Sequence, residues 1–352
     1  MKNTFETLVI LSPGFPANEA DTTCMPPQQI FVKALNEICP GLNIIVLAFQ
    51  YPFIAGEYQW HGTKVIAIGG KDKKRFLRLF TWLKAWMILR KLNKKYELMG
   101  LLSFWFGECA LVGNYFAKFH RLNHNSWILG QDAKIGNKYF KWIKPKGDSL
   151  IALSDFVSKE VKKNHGVLPQ QVIPVGIDTS LFGPVPSKRD IDILGAGSLI
   201  PLKQYNLFVQ AISFLKEFFP GIKAVICGKG PEMELLEAMA ESLNLKNNLF
   251  FAAELPHNEV LALMQRSKIF LHPSAYEGFG AVLSEALYAG AHVVSFCKPM
   301  EKDFRHHHVV RNKEEMDTEL LMILKNTRRG HDRVLMCPIQ HISKNVISLF
   351  VE

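Results

Sequence analysis

Glu277 and Glu285 stand eight positions apart in PSAYEGFGAVLSEALYAGAHVVS (273–295), with Gly278-Phe279-Gly280 between them. Carboxylates only accept hydrogen bonds, so two at this spacing suit a ligand rich in hydroxyls. The glycines beside the first remove Cβ atoms that would hold a ligand away from the backbone. A helix starting near Gly280 would turn its first unpaired N–H groups toward the same place, which suits a phosphate. Glu285 would then lie on the order of 8 Å along the axis from that terminus. Hydroxyls on either side of a phosphate are the layout of a nucleotide sugar: ribose, diphosphate, sugar. Bare carboxylates repel phosphate, so a cation is expected nearby, and Lys203, in the loop after DILGAG (192–197), is the candidate. A blander reading makes Glu277 a helix cap and Glu285 a surface ion pair. That would suffice for two isolated glutamates, but it leaves the glycines and the adjoining strand unexplained.

The elements that must hold this loop repeat along the chain. Strand-like runs TLVILS (7–12), NIIVLAFQ (43–50), TKVIAIGG (63–70), LMGLLSF (98–104), SWILG (126–130), DSLIALS (148–154) and QVIPVG (171–176) come first. Helical periodicity lies between them near 27–38, 73–95, 108–120, 138–144 and 155–164. The pattern restarts with IDILGAG (191–197), KAVICG (223–228), NLFFAA (248–253), KIFLHP (268–273) and AHVVS (291–295). Its helices fall near 204–219, 231–243, 257–265 and 280–289, and two more follow near 314–327 and 339–350. Short apolar runs alternating with amphipathic helices predict buried parallel sheets. The aperiodic, Gly/Pro-containing stretch 175–190 reads as a hinge. The expectation is an α/β protein of two Rossmann-like doubly wound domains, 1–178 and 179–335, facing across a cleft. A helix within 336–352 would pack back on the first domain. Ligands of such sheets bind outside the carboxyl ends of the strands.

The net charge of +10 lies wholly in the first half. Residues 1–180 hold 23 Lys/Arg against 13 Asp/Glu, while 181–352 hold 19 of each. An anionic partner is therefore expected on the first domain. Residues 71–95 carry ten Lys/Arg and one Asp, with Trp82 and Trp86 a turn apart, and 134–146 add five Lys beside Tyr139, Phe140 and Trp142. Two readings stay open: a helix packing its aromatic side inward, or a surface for an anionic membrane. On the second, Lys73, Lys74, Arg75, Arg78, Trp82 and Trp86 form the acceptor or membrane side. No nucleic-acid-binding motif accompanies the charge. Six cysteines without a Cys-x-x-Cys argue against structural zinc and suit a reducing compartment. His306, His307 and His308 are expected in a surface loop rather than around a metal. The chain lacks an apolar run of roughly 20 residues, and its start lacks the order of a secretion signal. A cytoplasmic location is expected, peripheral on the inner face of the membrane if the second reading holds.

VIPVGIDTSLFGP, GAGSLIPLKQYNLFVQAI and the stretch from AVICGKGPEMELLEAMAE to PSAYEGFGAVLSEALYAG resemble the retaining nucleotide-sugar glycosyltransferases of GT-B fold. The resemblance is to the glycogen-synthase-like and bacterial mannosyltransferase-like group, and it runs from about Ile151 to Ser295. It implies that Glu277 contacts donor-sugar hydroxyls and that backbone amides of Gly278, Phe279, Gly280 and Ala281 hold the diphosphate and sugar. It also implies that Glu285 binds ribose and that Lys203 neutralises the departing diphosphate. Gly14, after the first strand, and Ser198 would complete the donor side. A UDP sugar and a saccharide or lipid-linked acceptor are implied, with no metal and no cofactor. Three stretches depart from the family: Ser198-Leu199 replaces Arg-Leu, Leu129-Gly130-Gln131-Asp132 replaces a His-Gly before an acid, and FCKPMEKDFRHHHVV replaces a glycine-rich loop. The alternative is a non-catalytic sugar-nucleotide or membrane-binding module. An NAD-dependent oxidoreductase is disfavoured, because SPGFPANEADTT stands where Gly-x-Gly-x-x-Gly would follow the first strand.

Overall fold

A computed structural model describes residues 3–71, 76–186, 188–326 and 329–351. The chain divides into two compact units, Met1–Gly176 with Ile339–Glu352, and Ile177–Pro338.

The first unit holds β1 (Asn3–Gly14), α1 (Pro26–Ile38), β2 (Asn43–Tyr51), β3 (Gly56–Trp60), β4 (Thr63–Ala67), α2 (Phe76–Lys95) and β5 (Tyr96–Phe104). α3 (Glu108–His120), β6 (Asn123–Ile128), α4 (Tyr139–Ile143), β7 (Leu150–Ala152), α5 (Asp155–His165) and β8 (Gln171–Val172) follow. The strands form one sheet in the order β3-β4-β2-β1-β5-β6-β7-β8. Leu8, Val9, Ile10 and Leu11 of β1 are all fully buried, the mark of a strand covered on both faces. Among the described residues only β3 runs antiparallel, joined to β4 by His61-Gly62, both at positive φ as a two-residue hairpin turn requires. GEYQW alternates over only two aromatic positions, half-buried Tyr58 and buried Trp60, too short a run to stand out as a strand.

The second unit holds β9 (Ile191–Ala196), α6 (Tyr205–Lys216), β10 (Ala224–Cys227), α7 (Met233–Ser242), β11 (Leu249–Ala252) and α8 (His257–Arg266). It continues with β12 (Ser267–His272), α9 (Ala281–Tyr288), β13 (His292–Ser295), β14 (His307–Val309) and α10 (Lys313–Lys325). Its sheet is parallel throughout, ordered β11-β10-β9-β12-β13-β14. The expectation that His306–His308 lie in a surface loop is corrected here. His307 and His308 belong to edge strand β14, which pairs with β13, because backbone pairing there outweighs three polar side chains in a row. Beyond this unit, α11 (Ile339–Ile347) packs on α1 in the first one. Nearby, Asn123 Nδ2 donates to Leu349 O at 2.7 Å.

Candidate active site

From β9 the chain order runs one way through β10 and β11 and the other way through β12, β13 and β14. The loops after β9 and β12 therefore leave neighbouring strands in opposite directions. That switch point is where open α/β sheets offer a crevice for ligands. After β9 comes Gly197-Ser198-Leu199 and one 3₁₀ turn, Pro201–Lys203. After β12 comes the loop 273–280. Ala275 N donates to Leu202 O at 2.9 Å, and the Ser274 hydroxyl lies 3.3 Å from the same oxygen, so the two loops are fastened together.

This fastening places Lys203 against Glu277. Their side chains form an ion pair through Glu277 Oε2, each only about one-fifth exposed. His272, at the end of β12 and 2% exposed, puts Nε2 3.2 Å from the same oxygen. A carboxylate can only accept, so Nε2 carries the proton. Burial alone would raise the Glu277 carboxyl, but the His272 hydrogen bond and the Lys203 charge outweigh it and hold it at about 2. Burial lowers His272 below its ordinary value, so at neutral pH the ring is an uncharged donor. Cys297 donates to Ser274 O at 3.2 Å; burial, then the Glu277 charge, pushes its thiol up to about 12. It is inert at neutral pH.

Gly280 caps α9 in the left-handed region at φ 69°, and a Cβ there would sit 2.9 Å from Glu277 Cγ. The residue is thus required twice, for its backbone conformation and for the room it leaves Glu277. Gly278 and Phe279 are buried, with the Phe279 ring 1% exposed in the core, so Phe279 can offer a ligand only its backbone. Ala281 is half-buried and Ser198 exposed. Glu285, one turn into α9, pairs with His257 Nε2 of α8 at 2.8 Å. Burial would lower His257, but the hydrogen bond and charge of Glu285 prevail and raise it. Sequence reasoning missed both histidine partners.

In the first unit, Gly14 ends β1 opposite Tyr51, past a register shift. Lys73, Lys74 and Arg75 lie outside the described residues. Arg78 hydrogen-bonds the Tyr139 hydroxyl. Trp82 and Trp86 do not form an interfacial aromatic pair: Trp82 Nε1 donates to Glu108 Oε2 at 2.8 Å, and the Trp86 ring meets Phe116 edge-on at 5.1 Å. Both rings pack inward because Ala85, Leu89 and Leu92 on that side of α2 belong to the core. Beyond the ends of β5 and β6 an open cavity of about 310 Å³ is lined by Gly107, Gln131, Asp132, Lys134, Asn137 and Tyr139 among others. Asp132 Oδ2 accepts from Phe106 N and Leu129 N, both at 2.9 Å. Burial lifts its carboxyl to about 6 against those two bonds.

The family model described as glycosyl transferases group 1 matches residues 178–319, which hold Lys203, His272, Glu277 and Glu285. Residues 178–319 thus form a region of the glycosyl transferases group 1 family. The chain is 29% identical over 178 residues to glycogen synthase of Mycobacterium tuberculosis, covering 49% of this chain and 43% of that one. It is 30% identical over 166 residues to the phosphatidylinositol N-acetylglucosaminyltransferase gpi3 subunit of Schizosaccharomyces pombe, covering 46% and 36%. The chain thus spans less than half the length of these two relatives. Among solved structures it is similar to sucrose-phosphate synthase of Thermosynechococcus elongatus, with a TM-score of 0.68, 16% identity and coverage of 98% and 95%. It is also similar to Anabaena HepE in complex with UDP and glucose, with a TM-score of 0.67, 15% identity and coverage of 98% and 97%. These likenesses show the fold, which is GT-B.

Proposed function

We propose that the chain is a retaining glycosyltransferase. It would move a hexose-type sugar from a UDP sugar to a hydroxyl of a saccharide or lipid-linked acceptor, in the synthesis of a cell-surface polysaccharide or glycolipid. The observation that carries this reading is the Lys203–Glu277–His272 cluster beside the Gly280-capped start of α9, at the sheet's switch point. The family match and the UDP held by HepE support it. The bond from the anomeric carbon to the β-phosphate oxygen breaks, and the charge left on the diphosphate is met by Lys203 and the amides at the start of α9. The acceptor oxygen attacks from the face the diphosphate leaves, and its proton passes to a departing phosphate oxygen. Glu277, kept ionised by its two partners, would take the sugar hydroxyls, and Glu285 those of the ribose. Gly14 and Ser198 would add contacts to the donor.

A thermal-shift panel of UDP, GDP and ADP sugars tests the donor. UDP sugars should give the largest upward shift, and chelator treatment should leave both the shift and donor turnover unchanged. Product NMR should show the donor's anomeric configuration. Binding without donor hydrolysis or transfer, with any pool of acceptors, would leave a sugar-nucleotide-binding module instead.

Glu285→Ala should weaken UDP binding in calorimetry by about 10- to 150-fold, the ~1.5–3 kcal/mol of a hydrogen bond to a charged group. Unchanged UDP affinity would remove Glu285 from the ribose and leave it a partner of His257 alone.

A further inference from the structure

We propose that the outer side of α2, with the neighbouring surfaces of α3 and α4, is a docking face for an anionic lipid bilayer. A helix lying on a sheet needs one apolar stripe, and α2 has two. The inner one, Ala85, Leu89 and Leu92, is in the core. The outer one is Leu79, Leu83 and Met87, stacked a turn apart, with Phe80 beside them; these four are 47%, 61%, 57% and 68% exposed. The apolar surface continues onto α3, where Trp86 touches Phe119, itself 74% exposed. It reaches α4 through Tyr115, whose hydroxyl donates to Trp142 O at 2.9 Å, and Trp142 is also exposed. Contiguous exposed apolar surface of this kind marks an interaction site.

Charge selects the occupant. Along the same outward side of α2 the apolar turns give way to exposed Arg90, Lys91, Lys94 and Lys95. Lys138 lies 4.7 Å from the Trp142 ring centre, and Lys141, Lys144 and Lys146 are exposed near it. Residues 76–95 and 108–148 hold 13 Lys/Arg against three acids, of which Glu108 accepts from Gln50 and Trp82, Asp132 is taken by two backbone amides, and Asp148 is exposed. A second copy of this face would meet like charge. A nucleic acid would meet the basic residues but leave the apolar stripe in water. A bilayer with anionic headgroups satisfies both, with Lys and Arg at the headgroups and Leu, Phe and Met at the acyl boundary. The inference rests on the first unit alone and holds whether or not the chain transfers sugar.

Co-sedimentation with vesicles of phosphatidylcholine alone, or mixed with phosphatidylglycerol, tests it. The wild type should pellet with the mixed vesicles and stay in solution with phosphatidylcholine, and added salt should reverse the binding. The quadruple variant L79S/F80S/L83S/M87S and the variant R90Q/K91Q/K94Q/K95Q should each lose at least tenfold in partitioning. F119S, on a different helix, should lose several-fold. All these side chains face water, so melting temperatures should be unchanged and a partitioning loss is not a folding loss. Equal partitioning of wild type and variants, or no binding to either vesicle, overturns the proposal. So does a dimer in light scattering that L79S/F80S/L83S/M87S dissolves while vesicle binding is absent, which would give the face to a second copy.

Discussion

Lys203→Met is expected to lower transfer turnover by about a hundred- to a thousandfold, the usual effect of deleting one charge stabiliser of a leaving group. It should also lower the melting temperature. The ion pair with Glu277 is largely out of water, and removing one partner leaves the other charge uncompensated, at a cost of about 3–5 kcal/mol when burial is complete. His272 still donates to Glu277, so the loss should fall at the lower end. The double variant Lys203→Met/Glu277→Gln separates the two effects. Neutralising both groups should restore most of the lost stability and none of the turnover. Glu277→Gln alone should cut turnover far more than it cuts UDP affinity, since it is proposed to touch the sugar. Calorimetric stability, UDP affinity and initial rates for the three variants are the measurement. Normal transfer by Lys203→Met would end the site assignment.

The second large effect is acid lability that sets in well above the carboxylate range. Burial is the leading cause that lowers His124 to about 3, His292 to about 3 and His307 to about 4. Each is held neutral by its surroundings. His292 Nε2 donates to Gly330 O at 3.1 Å, and its Nδ1 is 3.1 Å from His308 Nε2. Ser295 Oγ donates to Cys297 O and so accepts from His307 Nε2 at 2.9 Å. His124 Nε2 meets Ser103 Oγ at 2.9 Å. Because the folded values lie below the ordinary 6.5, the unfolded chain takes up protons first on acidification. Stability is complete above about pH 6.5 and is lost as pH falls toward 4 and 3. By pH 5 each ring costs up to ~2 kcal/mol. Asp132, raised to about 6, and His257, also raised, act in the opposite direction over the same window. Glu277 adds its own loss from about pH 4.5 downward, complete as pH approaches 2. The net expectation is a melting temperature lower by roughly 10 °C at pH 5 than at pH 7. His292→Gln, which keeps a donor for Gly330 O, should flatten part of that slope. A level profile between pH 7 and 5 would contradict the neutral, buried state of these rings.

Much of this architecture was legible because burial on two faces writes continuous apolar runs. β1 and β2 read directly as strands, and α3 coincides with its predicted 108–120. β3 and β14 were not legible: β3 shows only two aromatic positions, Tyr58 and Trp60, and β14 owes its place to backbone pairing with β13. At the site, Glu277, Gly280, Glu285 and Lys203 stood out by type and spacing. His272 and His257 did not, because their partners are fixed by how β12 and α8 lie against α9, which no local spacing encodes. On α2, the sequence left open whether Trp82 and Trp86 pack inward or face an anionic surface, because basic and aromatic residues alternate there; the contacts with Glu108 and Phe116 settle it inward.

The second unit is spliced into the first: Ile177 N donates to Cys337 O at 2.8 Å, and Ile177 bridges Pro338 in parallel, so the chain departs and returns through one doorway. Loop-closure entropy depends on the distance an insertion must span, so these 162 intervening residues burden the first unit about as little as a short turn does. The order of synthesis is then nested. The sheet of residues 3–172 emerges first but lacks α11, which α1 must wait for, while Ile177–Pro338 can close on itself before α11 exists. The half of the protein that starts first is the half that finishes last.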